Sequence, residues 1–174
     1  MRMELYRRSM IVMIFSAMLA GLLFAELESS VILCGTVFCL LLVTMAAIDY
    51  CTGLLPDRGN LFLAGLGLLF VLTGTIHGLS EALLGAAVGA GVLLLLRRLS
   101  HGGLGLGDVK YAAAFGVWLG GQGTMLALLL AFAIGAVLAL LLLACGRLQR
   151  NSELAFGPFL SAGAYLSYLG ALWQ

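Results

Sequence analysis

Seven long apolar stretches separated by short polar or glycine-rich breaks make up most of the chain, at approximately Ser9 to Ala25, Val31 to Ile48, Leu61 to His77, Ala82 to Leu96, Val109 to Gly120, Thr124 to Cys145 and Leu154 to Trp173. A helix needs about 20 apolar residues to cross a bilayer, somewhat fewer if short or tilted. The pattern therefore predicts an all-α, polytopic membrane helix bundle of about seven transmembrane helices. The fifth stretch is the shortest. It spans only by borrowing loop residues or by lying in a locally thinned region.

Charge fixes the expected orientation. With the amino terminus inside and the carboxyl terminus outside, Arg2, Arg7, Arg8, Arg58, Arg97, Arg98, Lys110, Arg147 and Arg150 all fall on the cytoplasmic side, and Glu26, Glu28 and Glu81 fall outside. These are all nine of the basic residues. If the fifth stretch failed to span, Arg147 and Arg150 would be exported, so the charge rule argues that it does span.

Composition removes the alternatives to a membrane protein. With 63% hydrophobic and 10% charged residues, the chain is not a soluble globule, and seven helices leave no room for a soluble domain. It reads as one integral-membrane domain over residues 1–174, with 1–48 forming lead helices. The net charge of +1 comes from basic residues scattered through short loops, which gives no nucleic-acid surface. Arg7 and Arg8 precede the first stretch in the manner of a signal peptide. No small-x-small cleavage site precedes the Glu26 to Ser30 linker, so the stretch reads as a retained anchor. Cys34, Cys39, Cys51 and Cys145 form no CxxC pair and lie mostly in apolar stretches, indicating neither zinc nor a disulfide.

Much of the glycine is spaced for helix packing. Gly85 with Gly89, and Ala112, Gly116 and Gly120, recur at four-residue intervals and let helix backbones approach closely. Trp118 and Trp173, with Tyr168, fit interfacial anchors at the outer surface. His101 reads as a solvated interfacial residue beside Arg97 and Arg98, and His77 falls on the opposite side.

The chemistry lies in two short segments. In Ile48-Asp49-Tyr50-Cys51-Thr52-Gly53-Leu54-Leu55-Pro56-Asp57, Asp49 closes an apolar helix at the end where a carboxylate opposes the helix dipole and borders hydrocarbon. Something must compensate that cost. Asp57, after Pro56, has the place of a turn or amino-cap aspartate. The second segment is Gly102-Gly103-Leu104-Gly105-Leu106-Gly107-Asp108-Val109-Lys110-Tyr111. No strand precedes it and no GK[ST] follows, so it is not a phosphate loop; its glycines let the backbone turn and enter the membrane closely packed. Asp108 alone would be an amino-cap. Asp49 and Asp108, however, both lie at cytoplasmic helix ends of one small bundle. Two facing carboxylates in a partly dehydrated site share a proton, and one of them can activate water against a peptide carbonyl without a metal. Lys110 is two positions beyond Asp108 and does not face it, which suits a headgroup or charge-rule role better than a direct ion pair. Pro158, early in the last helix, leaves backbone groups for neighbouring helices or substrate to engage.

These segments resemble the type IV prepilin peptidases, bacterial members of the GxGD membrane aspartyl proteases. The resemblance lies in Asp49 followed by Leu55-Pro56-Asp57, in Gly105-Leu106-Gly107-Asp108-Val109-Lys110 continuing to Gly116-Val117-Trp118-Leu119-Gly120, and in Phe156-Gly157-Pro158-Phe159-Leu160, in the family's order from Asp49 to the carboxyl terminus. It implies that Asp49 and Asp108 are the catalytic pair, with Asp57, Gly105, Gly107, Lys110 and Pro158 supporting. It implies an aspartic-type endopeptidase of the bacterial inner membrane, active at the cytoplasmic face. Its substrates would be prepilins or pseudopilins, losing a short basic leader just after a glycine, and its partners would be lipid and the pilus or type II secretion assembly machinery. Larger family members carry an amino-terminal region, often with paired zinc-binding cysteines, and methylate the new pilin terminus. The absence of CxxC marks this chain as a short, peptidase-only form with no cofactor. Two other classes compete: a proton- or cation-coupled transporter or channel subunit, for which the chain shows neither an internal repeat nor mid-membrane acids, and an inactive homologue, against which both aspartates argue.

Overall fold

The computed structural model describes residues 29–101, 103–145 and 155–172. The first apolar stretch, Ser9 to Ala25, together with Arg147, Arg150 and Trp173, lies outside them. The described residues form five helices: α1 (Ser29–Thr52), α2 (Asp57–Leu72), α3 (Leu79–Leu99), α4 (Leu106–Ala144) and α5 (Gly157–Leu172). Six of the seven expected helices fall on the described residues, where five stand. The predicted fifth and sixth helices are two arms of α4, which is interrupted at Gly120 (φ 67°, ψ −178°).

That glycine reverses the chain. An unbroken helix of 39 residues would extend about 58 Å, nearly twice the ~30 Å hydrocarbon core. The contacts of α5 show where the two arms go. Along the first arm Tyr111 meets Ser161, and Phe38 links Trp118 to Tyr168, so this arm runs parallel to α5. Along the second arm Gly123 meets Ser167 and Gly135 meets Phe159, so it runs antiparallel. Only a residue at ease in the left-handed region makes such a turn cheaply. The short predicted fifth stretch is thus the first arm of a helical hairpin.

The ends of the other helices are written locally. Gly53 (φ 65°) closes α1, its N–H donating to the Asp49 carbonyl at 2.7 Å, as a left-handed residue after a helix does. Pro56 then opens α2, and its carbonyl accepts the Gly59 and Asn60 N–H groups. Arg97 and Arg98 occupy the last turn of α3, where cations complement the helix dipole.

The spaced glycines pack helices as their sequence positions predict. Gly85 and Gly89 of α3 lie against the Gly116 and Ala112 carbonyls of α4, and a Cβ at either would strike that backbone. Gly120 serves the reversal as well as the packing face, since a Cβ on Gly85 would also lie 2.8 Å from its carbonyl carbon. Trp118 is not the interfacial anchor that its place in the sequence suggests. It is 2% exposed, stacks on Phe38 at 4.9 Å between centroids, and donates from Nε1 to the Leu63 carbonyl at 2.8 Å. Tyr168 is likewise buried, against Phe38. Gly67, where a Cβ would stand 2.5 Å from Trp118 Nε1, leaves room for the indole to reach the Leu63 carbonyl, and core burial outweighs an interfacial position.

Leucines on the outer faces, such as Leu61, Leu72 and Leu83, remain exposed, which suits lipid better than water. Among the described residues, three segments are long and apolar enough to cross a membrane: Leu33–Thr52, Leu79–Leu99 and Leu106–Leu141, the last divided at Gly120.

Candidate active site

Asp49, Asp57, Asp108, Lys110 and the start of α5 gather at one end of the bundle, and His77 and Glu81 sit at the other, beside Gly120 and Gly121. Asp49 is buried at 5% exposure in the last turn of α1. Its compensation comes from α5. The Gly157 N–H donates to Asp49 Oδ2 at 2.8 Å.

The Phe156-Gly157-Pro158 sequence leaves that donor free. The Phe156 carbonyl takes the N–H groups of Phe159 and Leu160, and Pro158 has none to give, so in this first turn Gly157 alone has an N–H to spare. A helix amino terminus also places positive potential beside the carboxylate, reversing the unfavourable field of α1's own end. Glycine is required for the approach itself. A Cβ on residue 157 would lie 2.6 Å from Asp49 Oδ2 and 2.8 Å from Cγ.

Asp108 occupies the first turn of α4, half-buried, and its Oδ2 accepts the Gly105 N–H at 3.2 Å. Gly105, not Asp108, is the amino-cap residue; the aspartate reaches back to it as the acidic member of a capping box does. Both glycines before Asp108 now have a steric reason. A Cβ on Gly105 would stand 2.9 Å from Asp108 Oδ2, and one on Gly107 would stand 3.2 Å from the Leu55 Cβ in the α1–α2 turn. The carboxylates of Asp49 and Asp108, distant in sequence, lie within electrostatic reach of each other.

A buried hydroxyl pair fixes the α5 start against α4. Ser161 Oγ donates to the Gly157 carbonyl at 2.9 Å. Its single proton is then committed, so in the 2.6 Å contact with Tyr111 the tyrosine hydroxyl donates. Asp49, Gly157, Ser161 and Tyr111 thus form one connected network across three helices.

Asp57 and Lys110 do not join it. Lys110 Nζ contacts both Asp57 oxygens of α2, at 2.7 and 2.8 Å, while the next residue, Tyr111, meets Ser161 of α5. Two expectations change here: Asp57 is the first residue of α2 with Pro56 as its cap, and Lys110 makes a direct ion pair. Two turns of different helices place the partners together, which spacing along one segment does not reveal. Pro158 faces a cavity of about 240 Å³ between α1 and α5, walled by Cys39, Leu42, Ala46, Ala162 and Tyr165. Gly157, which holds Asp49, is the position that the sequence conceals beside its neighbour Pro158; a glycine directly before a proline near a helix start is its signal. Among the described residues no three His, Cys, Asp or Glu side chains gather as metal ligands.

Comparison with known proteins places this arrangement. A prepilin leader peptidase/N-methyltransferase of Burkholderia pseudomallei (strain 1026b) is 39% identical over 152 residues, covering 84% of this chain and 49% of the relative. One of the same name from Dickeya chrysanthemi is 40% identical over 165 residues, covering 89% of this chain and 57% of the relative. The corresponding protein of Neisseria gonorrhoeae is 34% identical over 169 residues, covering 90% and 58%. The chain spans about half the length of these curated relatives. No solved structure matches it. The model of the type IV leader peptidase family matches residues 36–140, which hold Asp49, the whole α1–α2 turn and the Gly105 to Asp108 segment, and the chain belongs to that family.

Proposed function

We propose that this chain is a membrane aspartyl endopeptidase that removes the short basic leader from type IV prepilin-like or pseudopilin substrates. Asp49 and Asp108 are the catalytic pair, and their end of the bundle faces the cytoplasm across the bacterial inner membrane, with the basic residues on the same side. The observation that supports this reading is that two aspartates from separate helices stand at the same end of the bundle, one held by the free N–H of α5, in a family of leader peptidases.

The chemistry follows from the pair. With one shared proton between them, the ionised carboxylate takes a proton from water as the oxygen attacks the scissile carbonyl carbon, and the protonated one donates to the carbonyl oxygen. The tetrahedral gem-diol then returns one hydroxyl proton to the ionised carboxylate as its C–N bond breaks, the leaving amine takes the proton held by the other carboxyl, and the shared-proton state is restored. Gly157 holds Asp49 in place through this cycle, and Gly105 does the same for Asp108. The apolar cavity beside Pro158 and Ala46 lies next to Asp49's helix turn and receives an apolar side chain adjoining the cleaved bond.

The test is cleavage of a leader-bearing peptide by the purified protein, with both products identified by mass. A single cut after the glycine that ends the basic leader is expected. Intact peptide across a panel of pilin and pseudopilin leaders would refute the proposal.

A further inference from the structure

Asn60 is the one buried side chain whose polar atoms lack a partner among the described residues. It is 4% exposed, and neither Nδ2 nor Oδ1 has a hydrogen-bond partner. Its position is one turn beyond Asp57 on α2, in the wall of a groove of about 480 Å³ that runs between α2, α3 and the first arm of α4. Native proteins pair buried amides almost without exception, so an unpaired one in a groove wall marks a missing partner.

We propose that this groove binds one glycerophospholipid with an amine-bearing, zwitterionic headgroup. The order of chemistry along the groove matches such a lipid standing in its leaflet. At the outer end is the Asp57–Lys110 ion pair, with side chains 71% and 52% exposed and therefore open to a headgroup. At 1.5 Å per residue, Asn60 lies about 4.5 Å deeper and Ala64 about 10 Å deeper along α2. Beyond Asn60 the walls are apolar and small, with Ala64, Ala113 and Val117 leaving room for an acyl chain. Charge, then amide, then hydrocarbon is the sequence headgroup, ester, chain.

Charge complementarity selects the headgroup. Lys110 is already neutralised by both Asp57 oxygens, so the mouth carries a dipole and no net charge. A zwitterion lays its ammonium against Asp57 and its phosphate against Lys110, keeping every charge paired, whereas an anionic headgroup leaves one carboxylate facing a phosphate. One turn deeper the Asn60 amide, enclosed as it stands, turns toward the groove that it walls, and an ester carbonyl accepts from Nδ2. An extended peptide would also satisfy an amide, but it offers the ion pair at the mouth no matching dipole.

The test uses the full chain, purified in detergent and delipidated, then titrated with phosphatidylethanolamine or phosphatidylglycerol of identical acyl chains and followed by native mass spectrometry and thermal unfolding. The wild type is expected to retain the amine lipid about tenfold more than the glycerol lipid, with an unfolding midpoint that rises with amine-lipid concentration. Asn60→Leu, close in volume, should unfold no earlier than wild type without lipid, since it removes an unpaired amide, and should lose about tenfold in amine-lipid retention. Ala113→Leu, which fills the apolar floor and leaves the amide alone, should lose retention similarly and covers the case in which Asn60→Leu does not fold. Asp57→Asn leaves Lys110 unopposed and should shift the preference toward the glycerol lipid, and an unchanged amine preference would overturn the proposal. Equal retention of the two lipids by wild type, no retention of either, or undiminished retention by Asn60→Leu or Ala113→Leu would overturn the proposal. A higher KM for leader peptide in Asn60→Leu with lipid retention unchanged would assign the groove to peptide and overturn it too.

Discussion

Replacing Gly157 with alanine isolates the contact on which the candidate site turns. The new Cβ would lie 2.6 Å from Asp49 Oδ2, 2.8 Å from Cγ and 2.9 Å from Cβ, where about 3.4 Å is an ordinary contact. The carboxylate must therefore retreat by about 0.8 Å, and its 2.8 Å bond from the Gly157 N–H stretches beyond hydrogen-bonding range. A hydrogen bond to a charged group contributes about 1.5–3 kcal/mol, which converts to roughly 10- to 100-fold if lost in the transition state. A misplacement near 1 Å at a reacting group costs up to about 10²-fold independently, so the expected loss in kcat is on the order of 10- to 100-fold. KM should change little, because the substrate's apolar contacts are untouched. Gly170→Ala is the control: the same substitution in the same helix, with nothing within 4 Å of the new methyl, expected to cleave normally and to be stabilised by up to about 1 kcal/mol. The assay is the initial rate of leader-peptide cleavage by purified protein, with helix content and unfolding midpoint measured alongside. Gly157→Ala cleaving within twofold of wild type, while folded, would refute the argument that this contact positions Asp49.

Three further substitutions separate local roles. Asp57→Ala breaks an exposed ion pair, worth about 0–1 kcal/mol, and should lower cleavage less than about threefold, measured as initial rate. Trp118→Phe removes the Nε1 bond to Leu63 and part of a fully packed ring, and should destabilise the protein by about 2–4 kcal/mol in denaturant or thermal unfolding. Gly120→Ala places a Cβ in the left-handed region where α4 reverses, costing about 1–2 kcal/mol in the same measurement, and an unchanged midpoint would contradict the reversal.

The legible parts of the sequence were those encoded within one segment. Long apolar runs gave helices, Gly53 and Pro56 gave the α1–α2 turn, and the four-residue spacing of Gly85 and Gly89 gave the close α3–α4 contact. The aspartates stood out because each is costly where it stands. What escaped was chemistry made between segments. The break at Gly120 divides α4 only because its φ is positive, and Gly120 also fits a regular small-residue pattern, so the spacing concealed the turn. Trp118 carries the residue type of a membrane anchor, yet a core of Phe38, Phe70 and the Leu63 carbonyl claims it. The pairing of Lys110 with Asp57 needs two helices in register, and neither residue's neighbours announce it. Gly157 reads as a helix start beside a proline, and its service to Asp49 becomes visible only when α5 returns to α1.

The most direct test of the aspartyl-dyad proposal is co-expression of this chain with a tagged prepilin bearing a short basic leader, comparing wild type with Asp49→Asn and Asp108→Asn by substrate mobility. An amide neither shares the proton nor activates water, so each variant should insert into the membrane at wild-type level and lose cleavage by about 10²-fold or more. Mature substrate appearing with either variant at a rate near that of the wild type would contradict the assignment of the two aspartates.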